Sequence, residues 1–174
     1  MATGSLLLLP GAATFPDGST SNVAAGLTRR QGTNANPKRH FLTLDYDGAG
    51  TVAEHAWFPF RMPADYASGG TLKLEWQANA TTGDCKWQAS VGAVTAGDAD
   101  TFMEHAQAAA ATVTTTVNAT EARRVNTSSI TLTMDSAAAG DVVSICVFRD
   151  PLDAADTMTV DAELIAAVFE YTTS

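Results

Sequence analysis

Residues 71–94 read TLKLEWQANATTGDCKWQASVGAV, and this stretch decides the fold. In its first half, apolar residues at 72, 74 and 76 alternate with polar residues at 73, 75 and 77. Its second half repeats the alternation, with apolar residues at 85, 87, 89 and 91. Successive side chains of a β-strand point to opposite faces, so each half predicts a strand with one buried face. The short run 80–84 between them, which contains Gly83-Asp84, predicts a compact hairpin connection.

The period of two continues outward on both sides of this stretch. It predicts strands over residues 41–46, 52–60, 71–78, 85–94, 112–117, 130–134, 141–148 and 157–172. Asp47-Gly48 predicts a hairpin turn, and a change of apolar face within 157–172 predicts a bulge or bend. Residues 100–111 are rich in alanine and follow a capping Asp100 or Thr101, so they predict one short helix. These elements together predict an all-β, antiparallel two-sheet sandwich of jelly-roll type.

Residues 1–40 show neither a helical nor a strand periodicity over any length, because proline and glycine interrupt the segment repeatedly. We therefore predict an extended N-terminal docking arm over 1–40 and a β-sandwich domain over 41–174. The first 44 residues carry four bases and one acid, whereas the remaining 130 carry six bases and 18 acids. The predicted docking residues of the arm are its apolar run and its bases: Leu6, Leu7, Leu8, Leu9, Arg29, Arg30, Lys38 and Arg39.

The charge and hydropathy of the chain argue against two classes of binding partner, nucleic acids and membranes. The formal net charge of the 174 residues is −9, and an acidic body argues against nucleic-acid binding. The longest apolar run is four leucines, far short of the roughly 20 residues that a membrane-spanning helix needs. We expect neither a nucleic acid nor a membrane among the partners.

The sequence contains no pattern typical of a catalytic or metal site. His40, His55 and His105 match no zinc spacing, and no nucleophile or phosphate-loop motif is present, so we expect no catalytic residue, metal or cofactor. The two cysteines are expected to be buried free thiols, with pairing across the two sheets as the alternative. Trp76 and Trp87 lie on apolar faces and are predicted to be core. Trp57 stays open, because the opposite face of its strand holds Phe58 and Phe60, and jelly rolls can bind sugar through exposed aromatic residues.

Residues 57–76 read WFPFRMPADYASGGTLKLEW, an aromatic strand that ends in Met-Pro-x-x-Tyr before a Gly-Gly pair. This segment resembles a β-sandwich module of tailed-phage virion proteins of the capsid decoration or tail-fibre type. The turn and tryptophan strand at 80–87, Ala139-Gly140-Asp141, the strand end at 148–150 and the closing strand at 164–171 fit the same family. The resemblance covers about residues 41–172. It implies a non-enzymatic structural or attachment role and carries over no functional-residue motif.

Three functions follow from these observations, and the sequence leaves the choice open. The first is a capsid decoration (cement) protein on the outer surface of a virion, made in the host cytoplasm. It would bind the major capsid protein through the arm and associate with itself as a homotrimer. The second is a tail-fibre, receptor-binding or adaptor module that binds tail proteins. The third is a carbohydrate-binding protein or enzyme on the same fold.

Overall fold

The computed structural model describes residues 2–19, 22–33 and 37–174. In these parts of the chain it contains one three-residue 3-10 turn, Pro10–Ala12, and eleven strands. The strands are β1 (Thr3–Leu8), β2 (Val23–Ala24), β3 (Gly26–Gln31), β4 (His40–Tyr46), β5 (Glu54–Arg61), β6 (Tyr66–Ala78), β7 (Asp84–Val94), β8 (Ala111–Thr116), β9 (Asn126–Thr131), β10 (Val142–Arg149) and β11 (Ala162–Thr173). No helix of the described ranges is both long and apolar enough to cross a membrane.

The strands form two sheets that face each other across one core. The six-stranded sheet has the order β3-β4-β11-β6-β9, with β1 paired to β11 as well. The five-stranded sheet has the order β2-β5-β10-β7-β8. The pairings of these strands are antiparallel except for the short parallel contact of β2 with β5. The predicted fold class, an all-β two-sheet sandwich of jelly-roll type, is confirmed.

The two predicted hairpins are wrong, because the connections cross between sheets. Strand β6 belongs to the six-stranded sheet and β7 to the five-stranded sheet, and β4 and β5 are divided in the same way. Alternation shows which face of a strand is buried, but it does not show whether consecutive strands pair or face each other. Here they face each other, since the rings of Trp76 and Trp87 meet edge to face with centroids 5.9 Å apart.

Large aromatic side chains fill the core, as predicted for Trp76 and Trp87, both of which are 0% exposed. The Trp76 indole N–H donates a hydrogen bond to Ser128 Oγ at 2.8 Å, and Tyr46 packs edge-on against Trp87 at 5.0 Å. Both cysteines are buried free thiols, which confirms the prediction. Burial raises the pKa of the Cys146 thiol to about 12.

The predicted helix over residues 100–111 is wrong. These residues form turns and irregular chain until β8 begins at Ala111. The alanine-rich run lies against the five-stranded sheet instead, and the Ala108 N–H donates to the carbonyl of Val91 at 2.8 Å. Contacts with the sheet outweigh the helix propensity of alanine, which is a weak preference. The predicted irregularity in the last strand is confirmed, because the register of β11 against β6 shifts between Leu164 and Ala166.

The N-terminal segment is extended and lies on the sandwich of its own chain. Strand β1 pairs with β11 over six residues, and β3 pairs with β4 over six residues. Parts of the segment 1–40 are therefore strands of the six-stranded sheet. The physical reason is that β11 and β4 would otherwise leave backbone N–H and C=O groups unpaired along their edges.

Candidate functional site

The outer face of the five-stranded sheet carries a groove with a volume of about 530 Å³. This volume lies within the range of roughly 300–1,000 Å³ that is usual for small-ligand sites. The floor is formed by residues of β5, β7 and β10 on the face of the sheet that is turned away from the core: Trp57, Pro59, Gly92, Val94 and Ser144. Trp57 points outward because its neighbours Ala56 and Phe58 are buried in the core.

One wall of the groove comes from the N-terminal segment. Thr14 and Trp57 form a two-hydrogen-bond bridge, with the Thr14 N–H 2.8 Å from the Trp57 carbonyl and the Trp57 N–H 2.9 Å from the Thr14 carbonyl. This bridge places Phe15 and Pro16 at the rim beside the indole. The wall is therefore apolar and is held by backbone, which fixes its position relative to β5.

The opposite wall is the segment that connects β7 to β8, residues 95–110, which we call the wall loop. It contributes Phe102, Met103, His105 and Gln107 to the groove. Met103 is 86% exposed, so a large apolar side chain stands at the rim in water. Exposed apolar side chains concentrated at a concave site are typical of binding surfaces.

Polar groups at the base of the wall loop are held in place by the sheet. Ser90 Oγ donates a hydrogen bond to Gln107 Oε1, and Gln107 Nε2 lies 3.4 Å from Ser144 Oγ. A Cβ added at Gly92 would lie 3.3 Å from Gln107 Nε2, so the absence of a side chain there makes room for the amide. The groove thus combines apolar rings with an amide and a hydroxyl whose positions are fixed.

His105 lies at one end of the groove between two carboxylates. Its Nε2 is 2.7 Å from Asp135 Oδ2 and its Nδ1 is 3.2 Å from Asp100 Oδ2. The hydrogen bond with Asp135, reinforced by both negative charges, raises the pKa of His105 above its ordinary value. Among the described residues, no group of three or more His, Cys, Asp or Glu side chains is placed to hold a metal ion.

The predicted docking residues fall into separate environments. Leu8 is buried in the core and Leu6 packs against it. Leu7 and Leu9 are 61% and 50% exposed and, together with Leu42, line a shallow apolar hollow on the six-stranded sheet, where β1 and β4 both lie beside β11.

The predicted basic residues are divided as well. Arg29, Lys38 and Arg39 are exposed. Arg30 instead forms ion pairs within the chain, with its Nη2 2.6 Å from Asp45 Oδ2 and 3.1 Å from Glu163 Oε1. Arg30 is thus already engaged within its own chain.

The alternation of its strand leaves open whether Trp57 is core or exposed, and no other residue of the groove is predicted from the sequence to bind a ligand. The wall loop was predicted to be a helix, and nothing in the local sequence relates His105 to Asp135, which is 30 residues further on. Phe15 lies in a segment without helical or strand periodicity, so its position could not be predicted.

No protein-family model matches the chain, and no curated protein matches it either. Solved structures with similar strand arrangements include the CBM27-1 module of Caldicellulosiruptor saccharolyticus in complex with mannohexaose. It has a TM-score of 0.49 and 7% identity over 95% of this chain and 96% of that chain. The exo-β-1,3-galactanase of Phanerochaete chrysosporium gives a TM-score of 0.46 and 12% identity over 97% of this chain.

The enzymatically active domain of tailspike protein 4 from bacteriophage CBA120 gives a TM-score of 0.39 and 12% identity over 95% of this chain. This chain spans only 29% of the galactanase and 19% of the tailspike domain. Identities this low, with TM-scores below 0.5, carry no information on function.

Proposed function

We propose that the protein is a non-catalytic carbohydrate-binding sandwich that holds an uncharged glycan in the groove. The observation that carries the proposal is the outward-facing indole of Trp57, set between an apolar wall and hydrogen-bonding groups. A sugar ring has C–H groups on its faces and hydroxyls around its rim. An aromatic ring covers such a face, and neighbouring polar side chains bind the hydroxyls.

The polar groups of the groove suit hydroxyls. Gln107 has an amide donor beside Ser144, and the hydroxyl of Ser144 both donates and accepts hydrogen bonds. Because the sheet fixes both groups, little side-chain entropy is lost when a ligand binds.

The charge of the groove favours neutral sugars over acidic ones. Among the described residues that line it, His105 is the only ionisable side chain. Its two partners, Asp100 and Asp135, give that end of the groove a net negative charge when His105 is protonated. The chain as a whole is also acidic. Uronic and sialic acids would therefore be repelled.

The test is calorimetric titration with neutral manno-, gluco-, xylo- and galacto-oligosaccharides and with an oligouronate. We expect at least one neutral series to bind, and Trp57→Ala to weaken that binding by about tenfold or more, since stacking on an aromatic ring contributes a large share of such a contact. Phe41→Ala is the matched control, because Phe41 is a partly exposed aromatic residue of the other apolar hollow. Failure of every neutral series to bind, or equal losses in both variants, would overturn the proposal.

A second candidate function rests on the apolar hollow of the six-stranded sheet. Leu7, Leu9 and Leu42 leave an apolar surface in water there, on a different sheet from the groove. We propose that this surface docks on a virion, on the major capsid protein or on tail proteins, with self-association as a homotrimer. The resemblance of residues 41–172 to virion modules supports this candidate.

Electron microscopy of capsids and tails mixed with the purified protein tests the second candidate. Regular density on the outer capsid surface supports decoration, and density on tails alone supports an adaptor. Leu7→Ser with Leu9→Ser should abolish the density, whereas Val125→Ser, at an exposed apolar residue elsewhere, should not. Absence of density on both particles, or density that survives the double substitution, would overturn it.

A further inference from the structure

The two ring nitrogens of His105 both face carboxylate oxygens. Nε2 is 2.7 Å from Asp135 Oδ2, and Nδ1 is 3.2 Å from Asp100 Oδ2. Ionised carboxylates only accept hydrogen bonds, so both nitrogens must donate. A neutral imidazole has one N–H and one lone pair, and its lone pair would face one of the two carboxylates. The arrangement therefore fits the doubly protonated, positively charged ring.

Asp135 is fixed to the sheet, whereas Asp100 belongs to the wall loop. The carboxylate of Asp135 also accepts a hydrogen bond from the Ala93 N–H of β7 at 2.9 Å. Asp135 has a φ of 51°, which is stable only where the surroundings hold the backbone. The bond between His105 and Asp135 thus joins the wall loop to a rigid part of the sandwich.

We propose that protonated His105 is a latch that holds the wall loop against the sheet, so that the groove is closed at acidic pH and loosens as the pH rises. The wall loop brings Phe102, Met103 and Gln107 to the groove. Release of His105 would loosen this wall, which would then be tied to the sheet only at its base by Gln107 and Ala108, while the floor stays in place. The link to glycan affinity rests on the proposed function, whereas the latch itself does not.

The surroundings leave His105 as the group that titrates near neutral pH. Asp135 faces it from the segment between β9 and β10, and Asp100 faces it from its own loop. The sheet strands beneath present the uncharged Gly92, Val94 and Ser144, and the opposite wall, residues 14–16, is uncharged. Hydrogen bonding raises the pKa of His105, so the latch is complete below the ordinary histidine value and is lost as pH rises through the raised value.

Amide hydrogen exchange on the free protein tests the latch without any ligand. We would measure protection factors, which remove the intrinsic pH dependence of exchange, for residues 102–108 from pH 5 to pH 9. The Ala108 N–H, which donates to Val91, is the most informative probe. One unit of pKa elevation in the closed form corresponds to about a tenfold fall in protection across this range. His105→Gln should remove the pH dependence, and His40→Gln, on β4, should keep it.

A second variant covers the case in which His105→Gln perturbs folding. Asp100→Asn removes one of the two carboxylates and leaves the Asp135 anchor to Ala93 intact, so the midpoint of the protection curve should move to lower pH. Protection that stays constant from pH 5 to pH 9 in the unmodified protein would overturn the latch. So would an unchanged midpoint in Asp100→Asn.

Calorimetry with the neutral oligosaccharide series separates the latch from the proposed function. If protection falls with pH and affinity for the oligosaccharide falls with it, both hold. If protection falls but no oligosaccharide binds, the latch stands and the proposed function fails. If an oligosaccharide binds with equal affinity and equal protection at all pH values, the latch is wrong and the proposed function stands.

Discussion

The guanidinium of Arg149 and the carboxylate of Asp156 form a two-point ion pair inside the sandwich. Arg149 Nε lies 2.8 Å from Asp156 Oδ2 and Nη2 lies 2.7 Å from Oδ1, with side chains 0% and 1% exposed. The three remaining N–H groups donate to the backbone carbonyls of Tyr46, Met158 and Val160. All five donors of the buried arginine are therefore used. The pair ties the segment between β10 and β11 to the end of the core.

Asp156→Asn should lower the free energy of unfolding more than a substitution at any surface carboxylate. The substitution leaves the Arg149 charge buried without its counter-ion, which costs about 3–5 kcal/mol. Urea denaturation of the purified protein measures the loss. The matched control is Asp153→Asn in the same segment, where a partly exposed pair with Lys86 is removed. Its effect should be clearly smaller, and equal effects would contradict the role given to the buried pair.

Trp76→Ala should be among the most destabilising core substitutions. Trp76 is fully buried, contacts Trp87, and donates to Ser128, so its removal leaves a large cavity and takes away one hydrogen bond to the Ser128 hydroxyl. Large-to-small changes of this kind cost about 3–5 kcal/mol. Thermal unfolding gives the measurement, and Trp57→Ala serves as a control because Trp57 lies at the groove. A loss in Trp57→Ala as large as that in Trp76→Ala would show that the groove residue is structural.

Much of the fold could be predicted from period alone. The alternation at residues 72–76 and 85–91 gave the strands and their buried faces, because side chains of a strand alternate strictly. The strand with which each strand pairs could not be predicted. A short connection such as residues 80–84 can join two strands of one sheet as a hairpin or lead from one sheet to the other. Strands β1 and β3 could not be predicted, because the consecutive leucines at 6–9 and the polar residues at 28–31 hide any alternation, whereas backbone pairing with β11 and β4 holds both strands in place.

The candidate site was mostly beyond local sequence. Trp57 could be placed on the face opposite Phe58, which made it a candidate for exposure. The wall loop could not be found, because its conformation depends on the distant contacts of His105 with Asp135 and of Gln107 with Ser144. Alanine composition indicated a helix there, and tertiary contacts overrode it.

Gly83→Ala should destabilise the crossing between β6 and β7. Gly83 has a φ of 103°, and a Cβ at this position would lie 2.8 Å from the Cα of Met158. Gly97 has a similar φ of 96° with open space around it, so Gly97→Ala isolates the backbone strain of about 1–3 kcal/mol. The close contact should add about 1–3 kcal/mol to Gly83→Ala. Equal urea midpoints for the two variants would show that the backbone at Met158 moves away from the added Cβ at no measurable cost in free energy.

The two buried thiols should be unreactive in the folded protein. A thiolate is the reactive form, and burial raises the pKa of Cys146 to about 12 and that of Cys85 further. A chromogenic disulfide reagent at pH 8 should therefore modify both thiols rapidly in denaturant and only slowly without it. Rapid modification of the native protein would contradict their burial.

Because the two thiols are buried, we expect the protein to lose stability at alkaline pH. The unfolded thiols ionise from about 9.0 upward, whereas the folded ones keep their protons, so the free energy of unfolding should fall as pH rises from 9 towards 12. Cys146→Ala should make this fall less steep. An unchanged slope in the variant, measured by urea denaturation at each pH, would rule out the Cys146 contribution.

Arg30→Ala and Arg29→Ala distinguish a structural arginine from one that is free to meet a partner. Arg30 bridges Asp45 and Glu163, and Glu163 is buried and also accepts hydrogen bonds from Gln77 and Arg123. Removing Arg30 should cost about 1.5 kcal/mol in urea denaturation, because one charge-assisted hydrogen bond to Asp45 and one ion pair with Glu163 are lost at a partly exposed site.

Arg29 is exposed on the same strand, so Arg29→Ala should change stability by no more than about 0.5 kcal/mol. Any loss of binding to virions in Arg29→Ala would then report docking alone, whereas a loss in Arg30→Ala would have to be corrected for stability. Equal stability losses in the two variants would mean that the bonds between Arg30 and the two carboxylates contribute nothing to the fold.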